Sequence, residues 1–250
     1  MLNRLGRFSA ATKTTVAIAA LGLALTACGG GSSDNAGDTG AKGTGVCAST
    51  DAKDDLLAQI CDNGEIRVST DPAYPPQSSL NEETGNYEGF DIDVATEIAK
   101  RLGVNIAWET PSWEVLTAGS WSDRWDMSVG SMSPTNERQK VLDFTQPYAY
   151  TPAVAVVHAD NTSINDLSTD LDGKKIGVCA GCSYEAYLNG TIAINGYEFD
   201  FVVDNPTIKG YDTDTTALQD LALGDGDRLD AVLTSITTAD GYIKSGQPVK

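Results

Sequence analysis

Hydrophobic residues along the chain follow two spacings, which predict helices and strands in alternation. In 91–102 and 215–223, apolar residues recur every three or four positions, as on one face of a helix. A short helix or turn is predicted at 113–119, and helices at 134–139 and 183–189. Apolar runs between turn residues predict strands at 65–70, 104–109, 125–129, 153–158, 175–179, 199–203 and 230–234. Strands that alternate with helices indicate an α/β fold with a mainly parallel sheet.

This alternation occurs twice, on either side of the long apolar segment 153–158. We therefore expect two lobes, 61–155 and 156–250. Sheets of this kind bind ligands outside the C-terminal ends of their strands, which is where a site is expected.

The start of the chain carries export signals. Arg4, Arg7 and Lys13 precede ten apolar or small residues at 16–25, a run too short to span a bilayer, which takes about 20 residues. We interpret 1–27 as a signal peptide, although the run could also be a short buried helix. The sequence Leu-Thr-Ala before Cys28 matches the bacterial lipoprotein pattern, with an ordinary secreted protein as the alternative. The prediction is lipidation at Cys28 and an extracytoplasmic protein anchored to the bacterial cell membrane.

The segment 28–60 begins with a Gly-rich stretch that is typical of a flexible tether. Beyond it the chain is acidic, and the formal net charge of −18 argues against non-specific nucleic-acid binding, which needs a basic face. A single His excludes a multi-His metal site. We predict neither a metal nor a cofactor.

Four cysteines remain after Cys28, and export permits disulfides between them. Of three possible connectivities, proximity favours Cys47–Cys61 and Cys179–Cys182. The second pair could instead be a thioredoxin-like redox motif, free thiols or half of a metal site. A redox motif needs a helix that opens at its first cysteine, whereas Cys179 ends an apolar strand.

Five segments in this order resemble family 3 of the bacterial extracellular solute-binding proteins, the polar amino-acid receptors of ABC importers. They are VSTDPAYPP, NYEGFDIDVATEIAKRLGV, SVGSMSPTNERQKVLDFTQPY, DLDGKKIGVCAGCSYEAYL and DRLDAVLT. The resemblance implies a two-lobed, type II periplasmic-binding-protein-like clamp that closes on a small ligand. It also implies ABC permease and ATPase subunits as partners, and we expect a monomer.

Residue chemistry in the first lobe agrees with an amino-acid ligand. Arg138 can bind a carboxylate through two parallel hydrogen bonds, and it matches the family's carboxylate-binding arginine. The alternative is a surface arginine paired with a neighbouring acid. Ser131 and Ser133 match positions that receive the ligand ammonium. Tyr74 and Trp113 match two positions that sandwich the ligand side chain, with core packing as the alternative.

In the second lobe, Cys182 and Ser183 match a family pattern that donates hydroxyl and backbone N–H groups to the ligand carboxylate. Tyr184 is expected to close the rim of the cleft. Asp71 matches a position that meets a basic ligand side chain in some members, and it could equally stabilise the turn before Pro72.

Three departures from the family pattern stand out. Ser235 replaces an acid that pairs with the ligand ammonium, so either Ser131, Ser133 and Asp71 suffice or the ligand is a different carboxylate. Gln77 replaces an aromatic residue. The chain stops at Lys250, before the family's return to lobe one. We expect a fragment or a prematurely stopped product, less stable than a full receptor and impaired in closure.

Two other functions remain open. A dehydratase of cyclic carboxylic acids resembles these receptors, and it needs a carboxylic acid of raised pKa in the cleft, for which Asp71 and Glu114 are the candidates. A structural lipoprotein is the other alternative. Neither acid stands out in the sequence, and the expectation is a binding protein without catalytic residues.

Overall fold

The computed structural model describes residues 45–250. The predicted signal peptide, Cys28 and the tether up to residue 44 lie outside the described residues. Within residues 45–250, no helix combines the length and hydrophobicity that crossing a bilayer requires.

Helices and strands alternate along most of this range. The α-helices are α1 (Leu56–Asn63), α2 (Phe90–Leu102), α3 (Trp113–Thr117), α4 (Ser183–Leu188), α5 (Asp214–Leu221) and α6 (Ile236–Lys244). The strands are β1 (Glu65–Ser69), β2 (Ala73–Tyr74), β3 (Ser78–Asn81), β4 (Asn86–Glu88), β5 (Asn105–Glu109), β6 (Met127–Ser128), β7 (Ala153–Val156), β8 (Lys175–Cys179), β9 (Thr207–Tyr211) and β10 (Ala231–Ser235).

The first lobe is built on a parallel sheet of order β5-β1-β6. Helix α2 covers it because its apolar residues recur on one face, where Ala95 and Ala99 are buried against Val68 of the central strand. Gly103 ends the helix in a left-handed conformation, with φ 84°. A small antiparallel sheet, β2-β3-β4, follows β1 and carries Tyr74.

The second lobe is built on a four-stranded sheet of order β7-β10-β8-β9. The last three strands run parallel, and β7 is antiparallel to β10. Its two faces are covered by separate clusters, one around Leu218, Leu221 and Leu229 and the other around Leu171 and Ile176. The predicted α/β fold with mainly parallel strands is confirmed.

The predicted lobe boundary after residue 155 falls inside β7. That strand pairs with β10 from Ala153 onward, so it belongs to the second sheet over its whole length. Lys250 lies beside the end of β7, where it exchanges backbone hydrogen bonds with Val157.

Three predicted elements differ from the structure. No strand forms at 199–203; instead Val202 and Val203 pack on the second core, and the free edge of β8 is taken by β9. The strand at 125–129 is reduced to β6. The predicted helix at 134–139 is only a 3-10 turn, Arg138–Lys140.

Both predicted disulfides form. Cys47 pairs with Cys61 on α1, which ties the chain before the first lobe to that lobe. Cys179 pairs with Cys182 across the turn between β8 and α4. Because α4 begins after the second cysteine, the helix does not open at the first one, as a thioredoxin-like motif would need.

Candidate functional site

A cleft between the two lobes collects the C-terminal ends of the parallel strands. Asp71 follows β1, Ser131 and Ser133 follow β6, and Cys182 follows β8. The cleft measures about 570 Å³, including the space open to solvent. It lies where parallel sheets expose the ends of their strands to ligands.

Arg138 is the most buried charged group in the wall of this cleft after Asp214. Its side chain reaches across from the first lobe, so that Nη1 donates to the Ser133 carbonyl and Nη2 to the Gly181 carbonyl, each at 3.0 Å. The guanidinium carbon lies 4.9 Å from the centre of the Trp113 ring. Within the described range, no carboxylate lies within 4.0 Å of it.

Burial lowers the pKa of Arg138 to about 10, so the guanidinium stays protonated at neutral pH. Both observed hydrogen bonds go to neutral carbonyl oxygens. A buried cation without a carboxylate partner is costly, and an anion that enters the cleft would offset this cost.

The turn closed by the Cys179–Cys182 disulfide forms the opposite wall. Gly181 stands at its tip with φ 72°, and its carbonyl accepts hydrogen bonds from Arg138 and from Trp113 Nε1 at 3.1 Å. A side chain at Gly181 would be strained and would meet the Trp113 ring, whose Cδ1 lies 3.4 Å from the position of a Cβ. The disulfide turn is therefore part of the contact between the lobes.

The side chains of Asp91 and Tyr148 hold Ser131 in place through hydrogen bonds. Its hydroxyl donates to Asp91 Oδ1 at 2.9 Å, and its backbone N–H donates to the Tyr148 hydroxyl, also at 2.9 Å. Tyr148 in turn donates to the same Asp91 oxygen. These contacts hold Ser131 in a left-handed conformation, with φ 51°, beside the cleft. Burial raises the pKa of Asp91, and the two hydroxyl groups oppose that rise.

Asp214 is a cleft residue that sequence reasoning missed. It begins α5, is only 5% exposed, and its Oδ1 has no hydrogen-bond partner among the described residues. Burial raises its pKa to about 7, a hydrogen bond with the Thr234 side chain opposes the rise, and the negative charge of Asp71 adds to it. Burial also raises the pKa of Asp71, whose Oδ1 accepts from the backbone of Ala73.

Nine of the ten predicted ligand-binding residues line the cleft. They are Asp71, Tyr74, Trp113, Ser131, Ser133, Arg138, Cys182, Ser183 and Tyr184. The tenth, Ser235, lies outside the lining and is 2% exposed, with its hydroxyl hydrogen-bonded to Gln77 and Thr238. That these residues bind a ligand stays a prediction.

The segment 212–214 also lines the cleft and was not predicted to do so. The sequence did contain a usable signal, because Asp212 and Asp214 directly follow the parallel strand β9. It was missed because the strand was placed at 199–203 and not at β9. Glu114, a candidate general acid in the sequence, is exposed on α3 and does not line the cleft.

Fold and cleft together define a class, the two-lobed α/β binding proteins of type II periplasmic-binding-protein architecture. The chain belongs to the bacterial extracellular solute-binding proteins, family 3, whose family model matches residues 66–220. The resemblance carried by the five sequence segments is thereby confirmed.

Two relatives illustrate the similarity. The L-cystine-binding protein TcyJ of Escherichia coli is 30% identical over 200 residues, which are 80% of this chain and 70% of TcyJ. An L-arginine-binding protein of Pseudomonas aeruginosa is 32% identical over 181 residues, which are 72% of this chain and 64% of that protein. The chain thus spans about two thirds of the length of these relatives.

Solved structures show the same fold. A truncated ArgBP from T. maritima in its arginine-bound form superposes with a TM-score of 0.65 at 28% identity, covering 77% of this chain and 83% of the other. The ancestral amino-acid-binding protein AncCDT-1, described as a precursor of cyclohexadienyl dehydratase, gives a TM-score of 0.67 at 28% identity, covering 78% and 80%.

Proposed function

We propose that this protein captures an amino acid, or a closely related small carboxylate, in the cleft between its lobes for delivery to an ABC importer. The observation that carries the proposal is Arg138, a buried guanidinium that faces the cleft and has no carboxylate partner among residues 45–250. A ligand carboxylate would supply the missing anion, and two parallel hydrogen bonds would orient it.

The other cleft residues fit the remaining parts of such a ligand. Tyr74 and Trp113 provide apolar walls for a side chain, and Ser183 supplies a hydroxyl on the second lobe. The names of the relatives support an amino-acid ligand, since two of them are named for cystine and arginine.

Further parts of the proposal concern the membrane. Lipidation at Cys28 would anchor the protein outside the cell membrane, with 28–60 as the tether, and a permease and an ATPase would complete the importer. These parts are supported by the sequence pattern at residues 1–28 and by the family to which the chain belongs.

A thermal-shift screen tests the binding function. The full chain is screened against the twenty amino acids, L-cystine, small dicarboxylates and opine-like derivatives, with Arg138→Ala in parallel. A ligand present at a hundred times its Kd stabilises the folded state by about 2.7 kcal/mol. We expect a shift with at least one amino acid and none with Arg138→Ala. A cooperative melt that no compound shifts would contradict the proposal.

One observation favours a second candidate, a dehydratase of cyclic carboxylic acids. Asp214 is a cleft carboxyl group with a pKa raised to about 7, as a general acid requires, and AncCDT-1 is described as a precursor of such an enzyme. Incubation with cyclohexadienyl carboxylates, followed by ultraviolet absorbance of an aromatic product, separates the two functions. Binding without product supports the receptor, and turnover that Asp214→Asn abolishes supports the enzyme.

A further inference from the structure

Charged groups are distributed unequally along the cleft. One cation, Arg138, faces two half-buried or buried carboxylates, Asp71 and Asp214. Asp212 also borders the cleft, but it is exposed, so solvent screens its charge. A ligand that matches the buried groups carries one carboxylate and two cations, which is the charge pattern of a basic amino acid.

Asp214 differs from an ordinary surface acid in three ways. It is only 5% exposed, it lines the cleft, and its Oδ1 has no hydrogen-bond partner within normal distance among residues 45–250. Buried charges in folded proteins are paired, so a buried carboxylate that lines a cleft and has no cationic partner in the described part of the chain indicates a missing one.

The Thr234 hydroxyl lies close enough to hydrogen-bond with the Asp214 carboxyl group and opposes the rise in its pKa, but it is neutral and supplies no positive charge. Burial raises the pKa values of Tyr74 and Tyr184, the nearby charge of Asp214 adds to both rises, and both side chains remain neutral phenols at physiological pH. No lysine or arginine lies within 4.0 Å of it in the described part of the chain. A cation from the ligand is the remaining source.

Ser235 cannot take this role either. Its hydroxyl is shared among Gln77 Nε2 at 3.1 Å, Thr238 Oγ1 at 2.9 Å and the backbone N–H of Thr238 at 3.2 Å. It is uncharged, and it lies outside the cleft lining. The negative charge that can meet a ligand cation in this half of the cleft is therefore on α5, at Asp214.

We propose that Asp214 is a specificity-determining residue which, with Asp71, binds a cationic side-chain group, so that the ligand is a basic amino acid of net positive charge. This inference rests on the proposed function, because the ligand carboxylate must be held by Arg138. Of the two ligands for which the relatives are named, the inference favours one like L-arginine, which has one carboxylate and a net positive charge. L-Cystine has two carboxylates and no net charge.

Matched ligand pairs test the inference by calorimetry on the full chain at pH 8. L-Arginine is compared with L-citrulline, which has an uncharged group of the same shape, and L-lysine with L-norleucine, which lacks the terminal ammonium. A hydrogen bond to a charged group is worth about 10- to 150-fold in Kd. We expect the cationic member of a pair to bind at least about 30-fold more tightly than the neutral member.

Asp214→Asn should reduce this ratio at least about tenfold and change the Kd of the neutral ligand less than about threefold. Asp240→Asn is the matched control, because it removes the same charge from an exposed site on α6, and it should leave the ratio unchanged. Equal losses for both ligands with Asp214→Asn would overturn the inference, since they would indicate a structural role.

A measurement on the unmodified protein covers the case in which Asp214→Asn does not fold. The pKa of Asp214 is raised to about 7, so its charge is present at pH 8 and largely absent at pH 6. The arginine-to-citrulline ratio should therefore be several-fold larger at pH 8. The titratable groups that face Asp214 are Asp71, Tyr74 and Tyr184, with Asp212 beside it; neither tyrosine titrates in this interval.

The two proposals fail in different ways. If neutral amino acids bind as tightly as cationic ones and Arg138→Ala abolishes their binding, the inference is wrong and the proposed function stands. If no amino acid binds at all, the proposed function fails and the inference fails with it.

Discussion

Gln77 of the first lobe donates a hydrogen bond from Nε2 to the Ser235 hydroxyl of the second lobe, over 3.1 Å. Both side chains are buried, and Gln77 also contacts the Thr237 and Thr238 hydroxyls. These are two of the positions at which the sequence departs from the family pattern. The structure places them in contact, so a polar contact between the lobes stands where the resemblance leads us to expect an aromatic residue and an acid.

This contact should favour the closed arrangement of the lobes, and ligand affinity should report it. Gln77→Ala removes a neutral hydrogen bond worth about 1 kcal/mol, so we expect about a fivefold higher Kd. Ser235→Ala should act similarly. In a double-mutant cycle the two effects should be less than additive, because each substitution removes the same bond.

Gln247→Ala is the control for this cycle, since that glutamine is exposed and outside the cleft. Fully additive effects of Gln77→Ala and Ser235→Ala would show that the two side chains do not act as a pair.

The two disulfides should have separable effects. Replacing Cys179 and Cys182 with serine frees the turn whose Gly181 carbonyl contacts Arg138 and Trp113, so we expect about a tenfold weaker ligand affinity. Replacing Cys47 and Cys61 opens a loop of sequence separation 14 that is remote from the cleft. That change should cost about 3 kcal/mol of stability and leave affinity unchanged.

Calorimetric Kd values and urea unfolding of both double variants check this pair of predictions. The account would be wrong if loss of Cys179–Cys182 left affinity intact, or if loss of Cys47–Cys61 weakened it.

Asp214 should make the stability of the free protein depend on pH. Its pKa is about 7 in the folded chain and about 4 in an unfolded one, so unfolding releases a proton between these values. A rising pH therefore favours unfolding over this interval, and the free energy of unfolding falls from pH 4 to pH 7.

Asp214→Asn removes this proton release. Without ligand, the variant should melt several degrees above the parent at pH 8 and by about a third of that margin at pH 5, at about 2–4 °C per kcal/mol. Differential scanning calorimetry at both pH values decides the matter. A variant that melts lower than the parent by the same amount at both would contradict the assignment.

Tyr148 should stabilise the fold through its hydroxyl. In Tyr148→Phe, the Ser131 N–H loses its acceptor and buried Asp91 loses a donor. We expect the free energy of unfolding to fall by about 1–3 kcal/mol. Tyr150→Phe is a matched control because Tyr150 is 77% exposed, and it should change stability by less than about 0.5 kcal/mol.

Urea unfolding of these two tyrosine variants measures the difference. Equal stabilities of Tyr148→Phe and Tyr150→Phe would show that the contact with Asp91 and Ser131 contributes nothing.

Much of the fold was predictable because periodicity in this chain is strong. Helix α2 and strands β1, β5 and β8 lie within a residue or two of their predicted bounds. The exception at 199–203 shows the limit, since burial of Val202 and Val203 produces an apolar pattern without a neighbouring strand to pair with. Competition for the edge of β8 depends on tertiary contacts that a local pattern does not contain.

The site was predictable where a motif surrounds the residue, as at Arg138 and Ser131. Asp214 was missed because no motif accompanies it, and its importance comes from its burial in the wall of the cleft. The hydrogen bonding of Ser235 could not be predicted from the sequence either, because its partner Gln77 is 158 positions away in the chain.

The central claim is that Arg138 binds the carboxylate of an amino acid in the cleft. The most direct test measures, by calorimetry, the amino acid that the screen selects and its decarboxylated amine, each with the parent protein and with Arg138→Ala. The account predicts that removing either the ligand carboxylate or the guanidinium weakens binding at least about 100-fold, and that removing both costs little more than either alone. Independent, additive losses, or an amine that binds as tightly as the amino acid, would contradict it.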